Sequence, residues 1–270
     1  MSIKLIAIDI DGTLINSNHQ LTNEVHAAIQ EAKKQGIRVV LCTGRPVIGL
    51  QKLLTELDLF SDEDFAISFN GSLVQKTKSN EIISQFSLTH EDYLDIELLA
   101  RKINVHMHAE TDEAIYTANR DISPYTIHEV KLTDMPLKYR TQEEMTADYS
   151  IIKMMMIDEP AILDAAIAKI PQSFYDKYTI SKSTPFFLEF MNKQVDKGAA
   201  LGRLADYLGL DVSEVMAIGD NENDLTMIRY AGLGVAMGNA VDSVKEAADV
   251  ITLTNDEHGV AAAIKKYALK

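Results

Sequence analysis

Short apolar runs alternate with segments of helical periodicity through the first part of the chain. Three runs are almost continuously apolar: residues 5–8, 39–42 and 65–69. Such runs are typical of strands buried on both faces of a parallel sheet. Thr22 precedes apolar positions at helical spacing that end at Gly36, and a second helical segment covers residues 49–57. This alternation predicts an α/β fold with a doubly wound, Rossmann-like parallel sheet.

The pattern changes in the middle of the chain, where short strand candidates lie closer together. They comprise residues 73–75, 82–88, 105–109, 114–117, 151–157, 178–181 and 186–190. The first two predict a hairpin, and helical segments begin at Thr89 and cover residues 160–170. The three methionines at residues 154–156 are interpreted as part of a core strand. These elements predict an α+β insert over residues 85–196, with helices on one side of its sheet.

The α/β alternation resumes at Lys197, which begins a predicted helix. A fourth buried strand follows at residues 215–218, and short strands at residues 234–236 and 250–252 enclose a helix over residues 240–248. We therefore expect two domains. Residues 1–84 and 197–270 form the α/β core, and residues 85–196 are inserted into it.

Polar side chains follow three of the predicted parallel strands, at the point where each strand ends. They are Asp9 and Asp11, then Thr43 and Gly44, and finally Asp220, Asn223 and Asp224. Residues two apart in an extended backbone point the same way, so Asp9 and Asp11 can face one point. The carboxyl ends of parallel strands share an edge, where ligands bind in open α/β sheets. One such cluster can be a simple turn, but three of them indicate a ligand site.

The residue types at these strand ends suit phosphoryl transfer. Carboxylate oxygens suit Mg²⁺, which proteins bind through one or two carboxylates, waters and substrate phosphate. One carboxylate can form an aspartyl-phosphate, and a second can do acid–base work at the leaving oxygen. Lys197 can offset phosphate charge, while the hydroxyl of Thr43 and the amide of Gly44 can hydrogen-bond to phosphate oxygens. The pattern requires no cofactor beyond the metal.

The composition of the chain argues against some classes of binding partner. The formal net charge of −14 argues against a broad nucleic-acid surface, which needs clustered positive charge. We expect no membrane span, because no stretch approaches about 18 consecutive apolar residues, and no signal peptide. The single cysteine, Cys42, lies in an apolar run and cannot form an intrachain disulfide. It suits a reducing compartment, so we expect a cytoplasmic protein.

Four motifs occur in order along the chain. They are Asp9-Ile10-Asp11-Gly12-Thr13, Thr43-Gly44-Arg45, Lys197-Gly198 and Gly219-Asp220-x-x-Asn223-Asp224. Together they resemble the motifs of the haloacid dehalogenase superfamily, and the insert resembles the C2 cap of its Cof-type branch. Stretches of the insert at residues 116–123 and 154–160 make the chain most similar to the bacterial YidA-type sugar phosphatases. The resemblance runs nearly end to end.

The resemblance implies a role for each motif residue. Asp9 is then the nucleophile and a Mg²⁺ ligand. Asp11 is the general acid/base and binds Mg²⁺ through its backbone carbonyl, and Asp220 is the third metal contact. The phosphate contacts are the amide of Ile10, together with Thr43, Gly44, Lys197 and Asn223. Asp224 either orients Lys197 or metal-bound water, or serves only as a carboxylate at the start of a helix.

Other candidates carry weaker signals. In the insert, Arg120, Tyr125 and His128 are candidates for reading the sugar. Arg45 is either part of the phosphate site or a salt-bridge partner, and Asn70-Gly71 either lines the cleft or forms a turn. His106 and His108 share a strand face but lack a third ligand for zinc, which favours a structural role.

These features predict a phosphoric monoester hydrolase that uses Mg²⁺ and acts on small phosphorylated metabolites, sugar phosphates first among them. A phosphosugar mutase would share the aspartyl-phosphate intermediate. A signalling receiver domain also clusters Asp, Thr and Lys. Its function would not explain the Asp-x-Asp spacing or so long an insert. A non-catalytic sensor of phosphorylated metabolites would bind without turnover. The preferred substrate and the formation of a homodimer stay open.

Overall fold

The structure is a computed structural model that describes residues 2–269. The chain folds into two compact units. Residues 2–45, 50–85 and 196–269 form the first unit, and residues 46–49 and 86–195 form the second. The boundaries lie within one residue of the predicted ends of the insert, and the loop at residues 46–49 is an addition to it.

The elements follow one another in three groups. Before the insert come β1 (Leu5–Ile8), α1 (Asn23–Lys34), β2 (Arg38–Cys42), α2 (Gln51–Glu56), β3 (Phe65–Ser68), β4 (Leu73–Lys76) and β5 (Ile82–Gln85). The insert contains α3 (His90–Ile103), β6 (His106–Glu110), β7 (Ile115–Thr117), α4 (Pro124–Thr133), β8 (Leu137–Tyr139), β9 (Lys153–Ile157), α5 (Pro160–Ile167), α6 (Gln172–Lys177), β10 (Tyr178–Thr184) and β11 (Phe187–Asn192). After the insert come α7 (Lys197–Tyr207), β12 (Val215–Gly219), α8 (Leu225–Tyr230), β13 (Leu233–Ala236), α9 (Asp242–Ala247), β14 (Val250–Ile251) and α10 (Gly259–Ala263).

The first unit is built on an eight-stranded sheet in the order β14-β13-β12-β1-β2-β3-β4-β5. All strands from β14 to β3 are parallel, and β1, β12 and most of β2 are buried, as their apolar runs predicted. The side chain of Thr22 caps α1 by accepting a hydrogen bond from the amide of Val25, as expected. The predicted doubly wound α/β core is therefore confirmed. The predicted hairpin, β4 and β5, extends the same sheet in antiparallel pairing.

The insert contains a six-stranded sheet in the order β10-β11-β9-β6-β7-β8, which is antiparallel except for the pair β7–β8. Met154 and Met156 of β9 belong to the core shared with α3 and α5, whereas Met155 and Ile157 form a second cluster, against which Tyr125 of α4 packs. Successive side chains of a strand point to opposite faces, so helices cover both faces of this sheet. The prediction of helices on one side only is wrong. Helix α4 was missed because its apolar and polar residues alternate irregularly, although Ser123 and Pro124 are a typical helix start.

The methionine run lies in a core strand, as predicted, since every residue of β9 is buried. Its unbroken apolar character is the sequence signal of a sheet covered on both faces. Among the helices of residues 2–269, none combines the length and the apolar character that crossing a membrane requires.

Candidate active site

Three adjacent parallel strands end in the predicted polar residues. Asp9 follows β1, Thr43 follows β2 and Asp220 follows β12, and these strands are neighbours in the sheet. The amide of Asp9 donates to the carbonyl of Ile218 (3.0 Å), and that of Thr43 donates to the carbonyl of Ile67 (2.9 Å), so the pairing continues past the strand ends. The three polar clusters therefore share one edge of the sheet.

Lys197, at the first position of α7, binds two of the carboxylates. Its Nζ donates to Asp9 Oδ1 at 2.7 Å and to Asp224 Oδ1 at 2.6 Å, and its side chain is completely buried. The other oxygen of Asp224 accepts hydrogen bonds from the backbone amides of Asp220 and Asn221. Asp224 thus holds both the ammonium and the loop after β12.

Asp220 approaches the turn after β1 closely. The hydroxyl of Thr13 donates to Asp220 Oδ1 at 2.7 Å. Gly12 has a φ of +83°, and a Cβ at this position would collide with the carboxylate of Asp220. Only glycine satisfies both the left-handed backbone and the close approach, which explains its place after the two aspartates.

The cluster holds more negative than positive charge. Burial raises the pKa of Asp9 to about 8; Asp224 adds to the effect and Lys197 opposes it. Burial also raises the pKa of Asp220, to about 6, against the hydrogen bond from Thr13. Burial disfavours the charge on Lys197, but Asp224 and Asp9 outweigh it and raise its pKa above the ordinary range. The site therefore lacks positive charge, which a cation or a proton can supply.

Three carboxylates meet the geometric requirement for a metal ion. Asp9, Asp220 and Asp224 each offer an oxygen, and these atoms all lie within 4.8 Å of one another. Mg²⁺ prefers such oxygen donors, and the raised pKa values of Asp9 and Asp220 are consistent with a bound cation that would offset their charge. Because both oxygens of Asp224 already accept hydrogen bonds, Asp9 and Asp220 fit the role of ligands better. The residues present fit the predicted Mg²⁺.

Asp11 differs from Asp9 in its surroundings. Its side chain is half exposed and pairs with both arms of the Arg45 guanidinium, at 2.9 Å from Nε to Oδ2 and 2.5 Å from Nη2 to Oδ1. A planar guanidinium holds a carboxylate in a defined orientation. The sequence allowed two interpretations of Arg45, part of the phosphate site or a salt-bridge partner. In the structure it forms a salt bridge with Asp11, the predicted general acid/base.

The predicted phosphate contacts lie on the same edge of the sheet. The Thr43 hydroxyl is buried and accepts a hydrogen bond from the amide of Arg45 at 3.2 Å. Asn223 Nδ2 donates to Asn70 Oδ1 at 3.1 Å, which brings the loops after β12 and β3 together. Ile10 and Gly44 occupy the turns after β1 and β2. Ile10 is the next residue after Asp9, and Gly44 is the next residue after Thr43.

The three candidates in the insert do not form one group. Arg120 lines a polar cavity of about 480 Å³, together with His106, Asn119 and Tyr139. Tyr125 stacks on Phe186 with ring centroids 4.5 Å apart, and His128 meets the same ring edge-on at 5.5 Å. The structure therefore assigns Arg120 to a cavity, and Tyr125 and His128 to an aromatic cluster.

Two further residues stand at the site with only a weak sequence signal. Asn70 contacts Asn223, and Asn239 Nδ2 donates to the carbonyl of Gly12 at 2.8 Å. Asn70 follows a buried strand, as the other site residues do, so its position was the available signal. Asn239 carries the first polar side chain after β13, so the same signal was available for it.

Comparison with known proteins gives matches over nearly the whole chain. The sequence profile of a family described as haloacid dehalogenase-like hydrolases matches residues 6–264. A Streptococcus pyogenes protein that carries a provisional phosphatase name is 55% identical over 269 residues, and the match covers 100% of both chains.

A second relative and a solved structure extend this comparison. The Bacillus subtilis protein named 5-amino-6-(5-phospho-D-ribitylamino)uracil phosphatase YcsE is 35% identical over 270 residues, which cover 100% of this chain and 97% of that protein. The crystal structure of a haloacid dehalogenase-like hydrolase from Bacteroides thetaiotaomicron superposes with a TM-score of 0.87 at 34% identity. That match covers 98% of this chain and 99% of the other.

Proposed function

Because the chain belongs to the haloacid dehalogenase-like hydrolase family, as its four motifs predicted, we propose that it is a Mg²⁺-dependent phosphatase of small phosphorylated metabolites. Sugar phosphates are the proposed substrate class. The relatives with phosphatase names support phosphatase activity. The observation that carries the proposal is the buried contact of Asp9 with Lys197 at the carboxyl ends of three parallel strands.

In the proposed reaction, Asp9 is the nucleophile. One oxygen is held by Lys197, and the other forms a bond to phosphorus while the bond between phosphorus and the leaving oxygen breaks. Asp11, released from Arg45 and protonated, donates its proton to that leaving oxygen and becomes a carboxylate. Asp11 then removes a proton from water, whose oxygen attacks the aspartyl-phosphate. Inorganic phosphate leaves, and both aspartates return to their starting states.

The remaining residues bind and neutralise the phosphoryl group. In the proposal, the amides of Ile10 and Gly44 and the side chains of Thr43, Lys197 and Asn223 contact the phosphate oxygens, as preorganised donors that stabilise developing charge. Mg²⁺ held by Asp9, Asp220 and the carbonyl of Asp11 would supply further positive charge to the phosphate and the nucleophile.

The insert is the proposed source of substrate selectivity. In the proposal, its side chains determine which substrates the enzyme accepts. The cavity at Arg120 and the aromatic cluster of Tyr125 and His128 are the candidate contacts. The relative YcsE is named for a phosphorylated ribityl compound, so sugar-alcohol phosphates belong to the same proposed class. We place the enzyme in the cytoplasm, without nucleic-acid or membrane partners.

The test is phosphate release from a panel of sugar phosphates and sugar-alcohol phosphates, with Mg²⁺ and with excess EDTA. We expect Mg²⁺-dependent release, and the ranking across the panel defines the substrate. Isomerised sugar phosphate in place of free phosphate would favour the mutase. Binding at saturating Mg²⁺ without any product would favour the sensor. Either result would refute the proposed hydrolysis.

A further inference from the structure

The loop after β3 has an unusual backbone. Phe69, Asn70 and Gly71 all have positive φ angles, of 49°, 56° and 98°. Asparagine and glycine tolerate the left-handed region, but a bulky residue such as phenylalanine rarely adopts it. Such strain persists only where the surrounding structure enforces it, and it clusters at functional sites. The loop therefore calls for an explanation beyond a simple turn.

Backbone hydrogen bonds fasten this loop to the turn after β2. The amide of Phe69 donates to the carbonyl of Arg45 at 3.2 Å, and the amide of Asn70 donates to the carbonyl of Thr43 at 2.9 Å. These two bonds lie on either side of Gly44. The strained loop is thus held directly against the residue whose amide belongs to the proposed phosphate site.

The side chain of Asn70 lies between two of the proposed phosphate contacts. A Cβ on Gly44 would be 3.2 Å from both Nδ2 and Oδ1 of Asn70, so the amide group packs over the turn. On its other side, Asn70 Oδ1 accepts a hydrogen bond from Asn223 Nδ2 at 3.1 Å. This bond makes Oδ1 the acceptor toward Asn223, and Nδ2 is the donor atom of an amide group whose two end atoms are equally close to Gly44.

We propose that Asn70 is a further phosphate-binding residue, whose Nδ2 donates to a phosphate oxygen while its Oδ1 positions Asn223. The inference rests on the proposed function and adds a contact outside the four motifs. The left-handed backbone, the two bonds to Thr43 and Arg45 and the absence of a side chain at Gly44 together bring this donor into place.

Two substitutions remove the donor while keeping the tendency toward a left-handed backbone. Asn70→Asp keeps the acceptor for Asn223 but replaces the donor with an oxygen and adds a negative charge that repels phosphate, so the neutral Asn70→Gly is the deciding variant. Asn70→Gly keeps the backbone and removes the whole side chain. Asn80→Asp is the matched control, because Asn80 also has a positive φ (58°) and accepts a side-chain hydrogen bond, from Gln75.

The measurement is the dissociation constant of inorganic phosphate in the presence of Mg²⁺, by ³¹P NMR, together with KM and kcat for the best substrate. A hydrogen bond to a charged group is worth about tenfold to 100-fold in affinity. We expect both Asn70 variants to weaken phosphate binding and to raise KM by about that factor, while Asn80→Asp stays within about twofold of the wild type.

The outcomes distinguish this proposal from the proposed function. If either Asn70 variant binds phosphate as the wild type does, with its thermal denaturation unchanged, Nδ2 is not a phosphate donor and the proposal fails. If the wild type binds phosphate but hydrolyses no ester, the proposed function fails. Weakened phosphate binding in both Asn70 variants would still support the contact in that case.

Discussion

Each unit of the molecule buries one lysine among carboxylates, and the two arrangements differ. In the first unit, Lys197 contacts Asp9 and Asp224 at 2.7 and 2.6 Å. In the insert, Lys153 lies at 3.4 to 3.9 Å from three buried glutamates, Glu110, Glu189 and Glu129. We call the first group the Lys197 cluster and the second the Lys153 cluster.

The two clusters sit at different places in their sheets. The carboxylates of the Lys197 cluster follow strand ends, and Asp220 and the half-exposed Asp11 lie next to it. In the Lys153 cluster, Glu110 and Lys153 are cross-strand partners of β6 and β9, Glu189 lies on β11, and Glu129 belongs to α4. All four residues are buried, so this cluster joins α4 to the sheet.

The comparison shows that buried charge alone does not identify an active site. A buried ion pair often contributes little net stability, yet removing one partner is costly because a charge stays buried without compensation. Among the described residues, the Lys197 cluster has two features that the Lys153 cluster lacks. It lies at the carboxyl ends of parallel strands, and its two carboxylates, together with the neighbouring Asp220, are close enough to share a metal ion. We therefore expect changes in either cluster to lower stability, and changes in the first cluster to lower turnover as well.

The largest expected effect comes from replacing each lysine in turn. Lys197→Met should lower kcat for phosphate release by about 100-fold to 1,000-fold, since it removes one donor of a charge-stabilising site. Lys153→Met should lower the free energy of unfolding by about 3–5 kcal/mol, the typical cost of breaking a buried pair, while the folded fraction keeps its kcat.

Each lysine variant serves as the control for the other, with kcat corrected for the folded fraction measured by circular dichroism. A folded Lys153→Met enzyme that loses as much kcat as Lys197→Met would abolish the distinction between the clusters. So would a Lys197→Met variant that keeps full turnover.

We expect pH to have a smaller effect on the free energy of unfolding, through the Lys153 cluster. Burial raises the pKa of Glu129 to about 7; Lys153 opposes the shift, and Glu110 and Glu189 add to it. The folded state then holds a proton that the unfolded chain releases near pH 4.5. The contribution of Glu129 to stability is therefore greatest below about pH 4.5 and falls, by up to about 3 kcal/mol, as pH rises to about 7.

Glu129→Gln tests this expectation, because it mimics the protonated side chain at every pH. The free energy of unfolding, measured by urea denaturation between pH 5 and pH 8, should change less with pH in the variant than in the wild type. Groups outside the Lys153 cluster titrate equally in both proteins. Identical slopes would show that Glu129 is already charged in the folded protein.

Much of the candidate site could be predicted from the sequence because two signals identify each strand end, an apolar run and the polar residues that follow it. Apolar runs locate β1, β2 and β12, and the first polar residues after each run then fall on one edge of a parallel sheet. Asp9, Thr43 and Asp220 follow from this logic alone. The partner of Asp11, by contrast, depends on the rotamer of Arg45, and that depends on packing rather than on spacing.

The insert was less predictable for a related reason. Helix α4 was missed, and the strand that ends at Tyr139 was missed with it, because both are short and carry mixed polar and apolar residues. Lys153 and Glu110 lie at the ends of strands, where a charged residue normally marks exposure rather than burial. Only the tertiary structure shows that they face one another.

The central claim is that Asp9 attacks phosphorus. The most direct measurement is an acid quench of the enzyme during turnover of its best substrate, followed by mass spectrometry of the peptide that contains Asp9. The account predicts one phosphoryl group on Asp9 in the wild type, and neither this group nor phosphate release in Asp9→Asn. A phosphoryl group on another residue, or normal turnover by Asp9→Asn, would contradict it.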